Sequence, residues 1–437
     1  MTGRRCTRSP LLPTYRRFTR RLRSTALHAG ALAAGASLVA GCGVLPGTTG
    51  GSGDTPITVM TWAPEDTTAT NKPGMPAFAL AYARWINAQG GLNGRELKVL
   101  ACNDRNDTVG AADCARRAVK EGAVAVVGSY SQYSASFLPH LEGAGIPYIG
   151  GYGVTTAEFT SPLSYPVNGG QPALLAGLGQ ELARTCGEVA LIRPDTIAGD
   201  SLPGMLNSGL KSRGHDGARD QRAAEDATEY STEAERALRA AGRGDDGEGC
   251  VVPVLGDRTS TFMDSFRRTG DKAADVRTGT VLGSVDQTLI NSTGGASSPY
   301  EGSYVTGWYP VSSDKRWDEM KKIINEEAFT DNRIDPDDTG VQTTYLAYTV
   351  FRKVVESLGG GEVSADTVRG ALNDGLKVTT GGLTPTLRWG FAERLGSVGL
   401  PRLVNADVTL QVVRDGRLVA ARNGFVDVTR TLEAADL

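Results

Sequence analysis

The chain has 437 residues, 40% of them hydrophobic, and 46 Lys plus Arg against 49 Asp plus Glu give a formal net charge of −3 at pH 7. That length accommodates two or three ordinary domains with a sizeable core, and the slightly acidic balance argues against nucleic acid as a partner. The sequence has no G-x-S-x-G, no metal-binding His pair and no P-loop, so no cofactor or metal is expected.

Residues 1–41 hold eight arginines and no acidic residue, and include a small, apolar run from Ala26 to Ala40. A basic segment followed by an apolar run too short to span a bilayer reads as an export signal. Val39, Ala40, Gly41 and Cys42 resemble a bacterial lipobox, which implies that Cys42 is acylated and becomes the mature N-terminus. Removing the signal leaves 38 basic against 49 acidic residues, a mature charge of −11. Membrane attachment then rests on lipid chains rather than a basic patch. Gly43 to Thr55 is rich in Gly, Thr and Ser and fits a flexible tether, 42–54.

From residue 57 strand and helix patterns alternate. Ile57–Trp62 reads as a strand, and a helix follows from Pro76 to about Gln89, with Phe78, Ala81, Tyr82, Trp85 and Ile86 on one face. Glu96–Cys102 is the next strand. The acidic turn Asn103 to Thr108 then caps a helix over Val109–Glu121. The apolar strand Ala123–Val127 leads into Gly128 and the hydroxyl and aromatic run Ser129 to Ser134. After a further helix, Pro147–Ile149 opens into Gly150 to Thr156. Loops leaving the carboxyl ends of parallel strands line ligand crevices, so these two loops are the candidate site for a polar small molecule.

A second alternating set follows: helices over 173–185, 202–211, 232–241 and 258–269, and strands over 189–192, 251–255 and 280–282. A strand expected near 219–224 is poorly apolar, and Pro253 sits awkwardly for a central strand. Beyond them come a strand at 304–308, helices at 314–328, 341–358 and 365–372, and a hairpin turning at Asp415 and Gly416.

With Cys6 in the signal and Cys42 at the lipid site set aside, four cysteines remain, with three pairings. Cys102 ends a strand and Cys114 lies early in the next helix, whereas Cys186 and Cys250 both begin strands. Their placement favours Cys102 with Cys114 and Cys186 with Cys250.

Ile86 to Gly94 (INAQGGLNG), the acidic turn 103–107, Val127 to Ser129, Ala144 to Pro147, Glu301 to Val305 and Tyr345 to Val350 resemble the branched-chain-amino-acid-type binding proteins of ABC importers. The resemblance implies an α/β fold of two lobes, the type I periplasmic-binding-protein fold, joined by three crossovers and closing on a solute. Its lobes would be 55–168 with 306–382, and 169–305 with 383–437. It implies a monomeric lipoprotein on the outer face of the cell membrane that delivers a solute, an amino acid or related carboxylate, to an ABC permease. A lipid-anchored sensor would use the same fold.

In that family the loops after the third and fourth strands hold the ligand's carboxylate. The resemblance therefore implies Ser131 or Gln132, the Val154 backbone and Thr155 as donors, with aromatic walls from Trp62, Tyr130, Tyr133, Tyr152 and Trp308. An acidic residue for the ligand's ammonium aligns at Val285, and Asp286 is adjacent.

One enzyme motif competes. Gly199, Asp200, Ser201 and Leu202 spell a GDSL-hydrolase-like nucleophile motif, but none of His28, His140 and His215 lies three residues after an Asp. Asp200 or Ser201 serves equally well there as a helix N-cap.

Overall fold

The computed structural model describes residues 55–242, 248–270 and 276–435. The signal segment, the tether and Cys42 lie outside the described residues. Five strands, β1 (Ile57–Trp62), β2 (Leu97–Cys102), β3 (Ala125–Val127), β4 (Tyr148–Ile149) and β5 (Ser164–Tyr165), form a parallel sheet in the order β2-β1-β3-β4-β5. The two- and three-residue strands are wholly buried, as expected where helices cover both faces of a parallel sheet. The helices of this region are α1 (Gly74–Ala88), α2 (Thr108–Lys120), α3 (Ser134–Ala144) and the single turn α4 (Ala157–Thr160). Asp107 caps α2 by accepting from the Gly110 amide at 2.6 Å, which is the role its acidic turn announces.

The second sheet takes β6 (Cys186–Pro194), β7 (Arg219–Ala223), β8 (Glu248–Pro253), β9 (Val276–Val281), β10 (Tyr304–Gly307), β11 (Asp407–Arg414) and β12 (Arg417–Ala420) in the order β12-β11-β10-β9-β8-β6-β7, and β13 (Val426–Asp427) pairs with β11. The strands from β6 to β10 are parallel, and β11 and β12 add the expected hairpin antiparallel at one side. The poorly apolar strand is the sheet's edge, β7, where Arg219, Asp220 and Arg222 face solvent. Pro253 is the last residue of β8. The next amide, Val254, donates to Ile192 on β6, so the N–H that Pro253 lacks would point towards β9, beyond the final Val251–Thr278 pair.

The remaining helices in chain order are α5 (Gly170–Leu182), α6 (Leu202–Lys211), α7 (Ser231–Ala240), α8 (Thr259–Arg267), α9 (Gln287–Ser292), α10 (Asp318–Glu327), α11 (Thr339–Ser357), α12 (Ala365–Asn373) and α13 (Thr429–Glu433). Although α10, α11 and α12 follow the second sheet's parallel strands, α10 and α11 pack on α1 of the first lobe and α12 packs on α11. There α11 lies so close to the strand ends that a Cβ on Gly150, at φ +64°, would come within 2.4 Å of the Ala347 Cβ. Among the described residues no helix is long and apolar enough to cross a membrane.

Disulfides join Cys102 to Cys114 and Cys186 to Cys250. The first ties β2 to α2, the second ties β6 to β8, and neither links the two sheets.

The chain therefore crosses between the lobes three times: after β5, after β10 and before β11. The crossings are knotted together at Tyr309. Its hydroxyl accepts from Asn168 Nδ2 at 2.9 Å and bonds the Thr343 hydroxyl at 3.0 Å, while its carbonyl accepts from Thr409 Oγ1 at 2.7 Å and Gln411 Nε2 at 3.0 Å. Trp389 Nε1 donates to the carbonyl of Pro166 on the first crossing, and Arg402 Nε donates to the carbonyl of Ser164 on β5. These groups are buried, so an orphaned partner is costly. Tyr309→Phe strands Asn168 and should lower the unfolding free energy by about 1–3 kcal/mol, read from the urea midpoint.

Candidate solute-binding site

Loops at the carboxyl ends of strands from both sheets converge on one narrow cleft. From the first sheet come Thr70 and Lys72 after β1, Tyr130 and Gln132 after β3, and Tyr152 and Val154 after β4. From the second come Thr196 after β6, Glu225 after β7, Leu255 after β8, Ser284 after β9 and Trp308 after β10. The cleft is mostly apolar with a few convergent polar groups, the usual character of a small-molecule site. Its free volume is about 60 Å³.

Contacts across the gap hold the lobes together. Gln132 Nε2 donates to Glu225 Oε1 at 2.8 Å, the Asn71 amide donates to Asp257 Oδ2 at 2.9 Å, and the Arg258 guanidinium donates to the Thr68 carbonyl. Lys72 Nζ lies 3.0 Å from Asp338 Oδ2 and 3.8 Å from Asp257 Oδ1. Burial works against the Lys72 charge, but Asp338 and Asp257 more than offset it and hold its pKa well above the usual lysine value.

Three rings form one wall. Tyr152 packs edge-on against Tyr130 and Trp308, with centroids 5.1 and 5.0 Å away, and the Trp308 indole is locked by donating to the Gly170 carbonyl at 2.9 Å. The Tyr152 hydroxyl is buried and finds no partner among the described residues.

The loop after β4 is organised from within. Glu158, 2% exposed, receives the Gly153 amide on Oε2 at 3.1 Å and the Val154 and Thr155 amides on Oε1 at 2.9 and 3.2 Å. Burial pushes its carboxyl up to about 7, and the three amides restrain the rise.

Of the residues expected at the site, Gln132, Tyr152, Val154 and Trp308 line the cleft, as does Tyr130. Five others lie elsewhere. Trp62 is fully buried between Phe137 and Tyr148, in the core beneath α2 and α3. Ser131 turns inward to accept the Tyr133 amide at 3.1 Å, and Tyr133 packs partly against that same core. The Thr155 hydroxyl bonds Ser134. Asp286 caps α9, taking the Leu289 amide at 2.8 Å, and burial pushes its carboxyl up to about 6. Lys72, Glu225, Thr196 and Ser284 were missed by sequence reasoning. Each follows a parallel strand's carboxyl end, so the rule that found the loops after β3 and β4 reaches them once extended to every strand.

Among the described residues no histidine lines the cleft. Gly199 of the GDSL-like stretch does line it, but the Ser201 hydroxyl donates to the Ala198 carbonyl at 3.0 Å and Asp200 pairs with Arg193 at 2.7 Å.

A carboxyl with a raised folded-state pKa binds its proton more tightly in the folded protein than in the unfolded chain. The Glu158 contribution is therefore greatest below pH 4.5 and is lost as pH rises to about 7, a change of about 3 kcal/mol. The melting temperature should fall across that window, and Glu158→Gln should flatten the fall. Closure is testable at Gly283, whose φ is +95° and where a Cβ would meet the Tyr152 hydroxyl at 2.2 Å. Gly283→Ala should hold the lobes apart, enlarging the radius of gyration in X-ray scattering, and adding Tyr152→Phe should partly restore it.

A family model described as periplasmic binding protein matches residues 67–395. No curated protein matches the chain. A solute-binding protein of an ABC transporter from Rhodopseudomonas palustris HaA2, solved with p-hydroxybenzoic acid, superposes with a TM-score of 0.69 at 14% identity, covering 88% of this chain and 100% of that one. An extracellular ligand-binding receptor from Verminephrobacter eiseniae gives 0.67 at 15% identity, covering 83% and 99%. The leucine-binding protein LivK from Thermotoga maritima gives 0.65 at 12% identity, covering 85% and 99%. At these identities the solved structures bear on the fold alone.

Proposed function

Because the chain belongs to the periplasmic binding protein family, we propose that it is the extracytoplasmic solute-binding component of an ABC importer. It is tethered to the membrane by lipid on Cys42, captures a small polar solute by closure of its two lobes, and passes the solute to a membrane permease. The observation that carries this reading is the convergence of strand-end loops from both sheets on one cleft, bridged by the Gln132–Glu225 hydrogen bond. A solute lodged there touches both lobes at once, so its binding energy is spent on closing them, and a closed form differing from the open one is what a permease can recognise.

Solved proteins of similar fold are described with hydroxybenzoates and as a leucine-binding protein. The wall of Tyr130, Tyr152 and Trp308 suits a solute with a flat or apolar part. The lobes expected at 55–168 with 306–382, and 169–305 with 383–437, keep each disulfide within one moving body, with the second crossing falling after Gly307 because β10 pairs whole within the second sheet.

A thermal-shift screen of amino acids, sugars, nucleosides and aromatic acids and amides tests the reading. A solute at one hundred times its Kd should add about 2.7 kcal/mol to the folded state, and Trp308→Ala should abolish that stabilisation. No stabilisation by any class, or a stabilisation that survives Trp308→Ala, would contradict capture in this cleft.

A further inference from the structure

The cleft's charged groups are already matched within the protein. Lys72 is its lining cation and faces two carboxylates, Asp338 at 3.0 Å and Asp257 at 3.8 Å. Glu225, the lining anion, is engaged by Gln132 at 2.8 Å. The three consecutive amides of Gly153, Val154 and Thr155, the donors best arranged to hold an anion, are turned towards Glu158 beneath the loop. Among the described residues that line the cleft, a solute carboxylate would lose its water and meet no cation that is not already paired with acidic side chains. It would also lie near three acidic side chains. Burying an ion under those conditions is strongly unfavourable.

What the cleft does offer is neutral. Tyr152, whose buried hydroxyl has no partner among the described residues, lines it. Thr70, Thr196, Ser284 and Gln171 add hydroxyl and amide groups around the ring wall. Buried polar groups left unpaired discriminate sharply in favour of a solute that can pair them.

Resting on the solute-capture reading above, we propose that this protein selects an uncharged solute that carries hydroxyl or amide groups on a compact, partly flat frame. It discriminates against carboxylates because Glu158 supplies from within the chain the anion that the loop after β4 holds. Tyr152 is the specificity-determining hydrogen-bonding group, and Asp338 acts through Lys72 to neutralise the cleft.

The test uses matched pairs that differ only in charge: 4-hydroxybenzamide against 4-hydroxybenzoate, and glucose against glucuronate, titrated calorimetrically into the full chain near pH 7.5. The uncharged member of a binding pair should be at least tenfold tighter. An acid that binds as tightly as its neutral partner, or tighter, overturns the proposal and leaves solute capture intact. Binding by no member of either pair, together with a blank thermal-shift screen, overturns both. A solute from that screen whose carboxylate is required for binding overturns this proposal alone.

Asp338→Asn provides a second readout. Asn caps α11 as Asp338 does, where Asp338 Oδ1 accepts the Val341 amide at 3.0 Å, so the helix is preserved. The Lys72 charge loses its nearer counter-ion, and the acid-to-neutral affinity ratio should move at least fivefold towards the acid. A merely structural role for Asp338 would weaken both members alike, and an unmoved ratio would contradict the neutralisation.

Discussion

The structure depends on the hydrogen-bonded knot at Tyr309, where three crossings of the chain meet. One buried side chain and its own carbonyl reach Asn168 on the first crossing, Thr343 at the start of α11, and Thr409 and Gln411 on β11. These partners come from segments far apart in sequence, and beside them a continuous cluster of buried apolar side chains, including Val154, Phe159, Val167, Leu174, Trp308 and Val408, runs through the waist. Hydrogen bonds are directional, so this connection fixes where the lobes are joined. The loops facing each other across the cleft inherit their placement from that joint.

Around the joint, each of the two disulfides stiffens one lobe. The Cys102–Cys114 bond pins the strand carrying the first acidic turn to the helix after it, and the Cys186–Cys250 bond pins neighbouring strands of the second sheet. Closure then brings together surfaces already shaped. The polar contacts across the gap include Gln132 with Glu225, Asn71 and Lys72 with Asp257, and Arg258 with the Thr68 carbonyl.

The cleft chemistry follows from how charge is distributed around it. Lys72, Asp257, Asp338 and Glu225 would each be expensive to bury alone, and each has a partner. Glu158 is a sharper case, since a carboxylate beneath a loop that would otherwise expose three amides makes the loop self-sufficient. The ring wall, the unpaired Tyr152 hydroxyl and the surrounding hydroxyls then set what the cleft can recognise.

Local pattern was enough for much of the fold. The apolar spacing of Phe78 to Ile86, the capping turn before α2, the short buried strands around Val126 and Ile149, and the alternation of both are consequences of neighbouring residues alone, and the structure repeats them nearly residue for residue. The resemblance to solute-binding proteins added the crossovers and the pairing of two sheets. The direction of individual side chains at loop tips was decided only in three dimensions. Ser131, Thr155 and Asp286 have the chemistry of ligand donors, yet each is occupied by a nearby amide or hydroxyl, and Trp62, one residue from the loop, points into the core. Lys72 and Glu225 lie 153 positions apart and face one cleft because separate sheets carry them there. Periodicity and capping act over a few residues and are written in the chain itself, whereas which of several competing partners a polar group takes depends on segments that only folding brings within hydrogen-bonding reach.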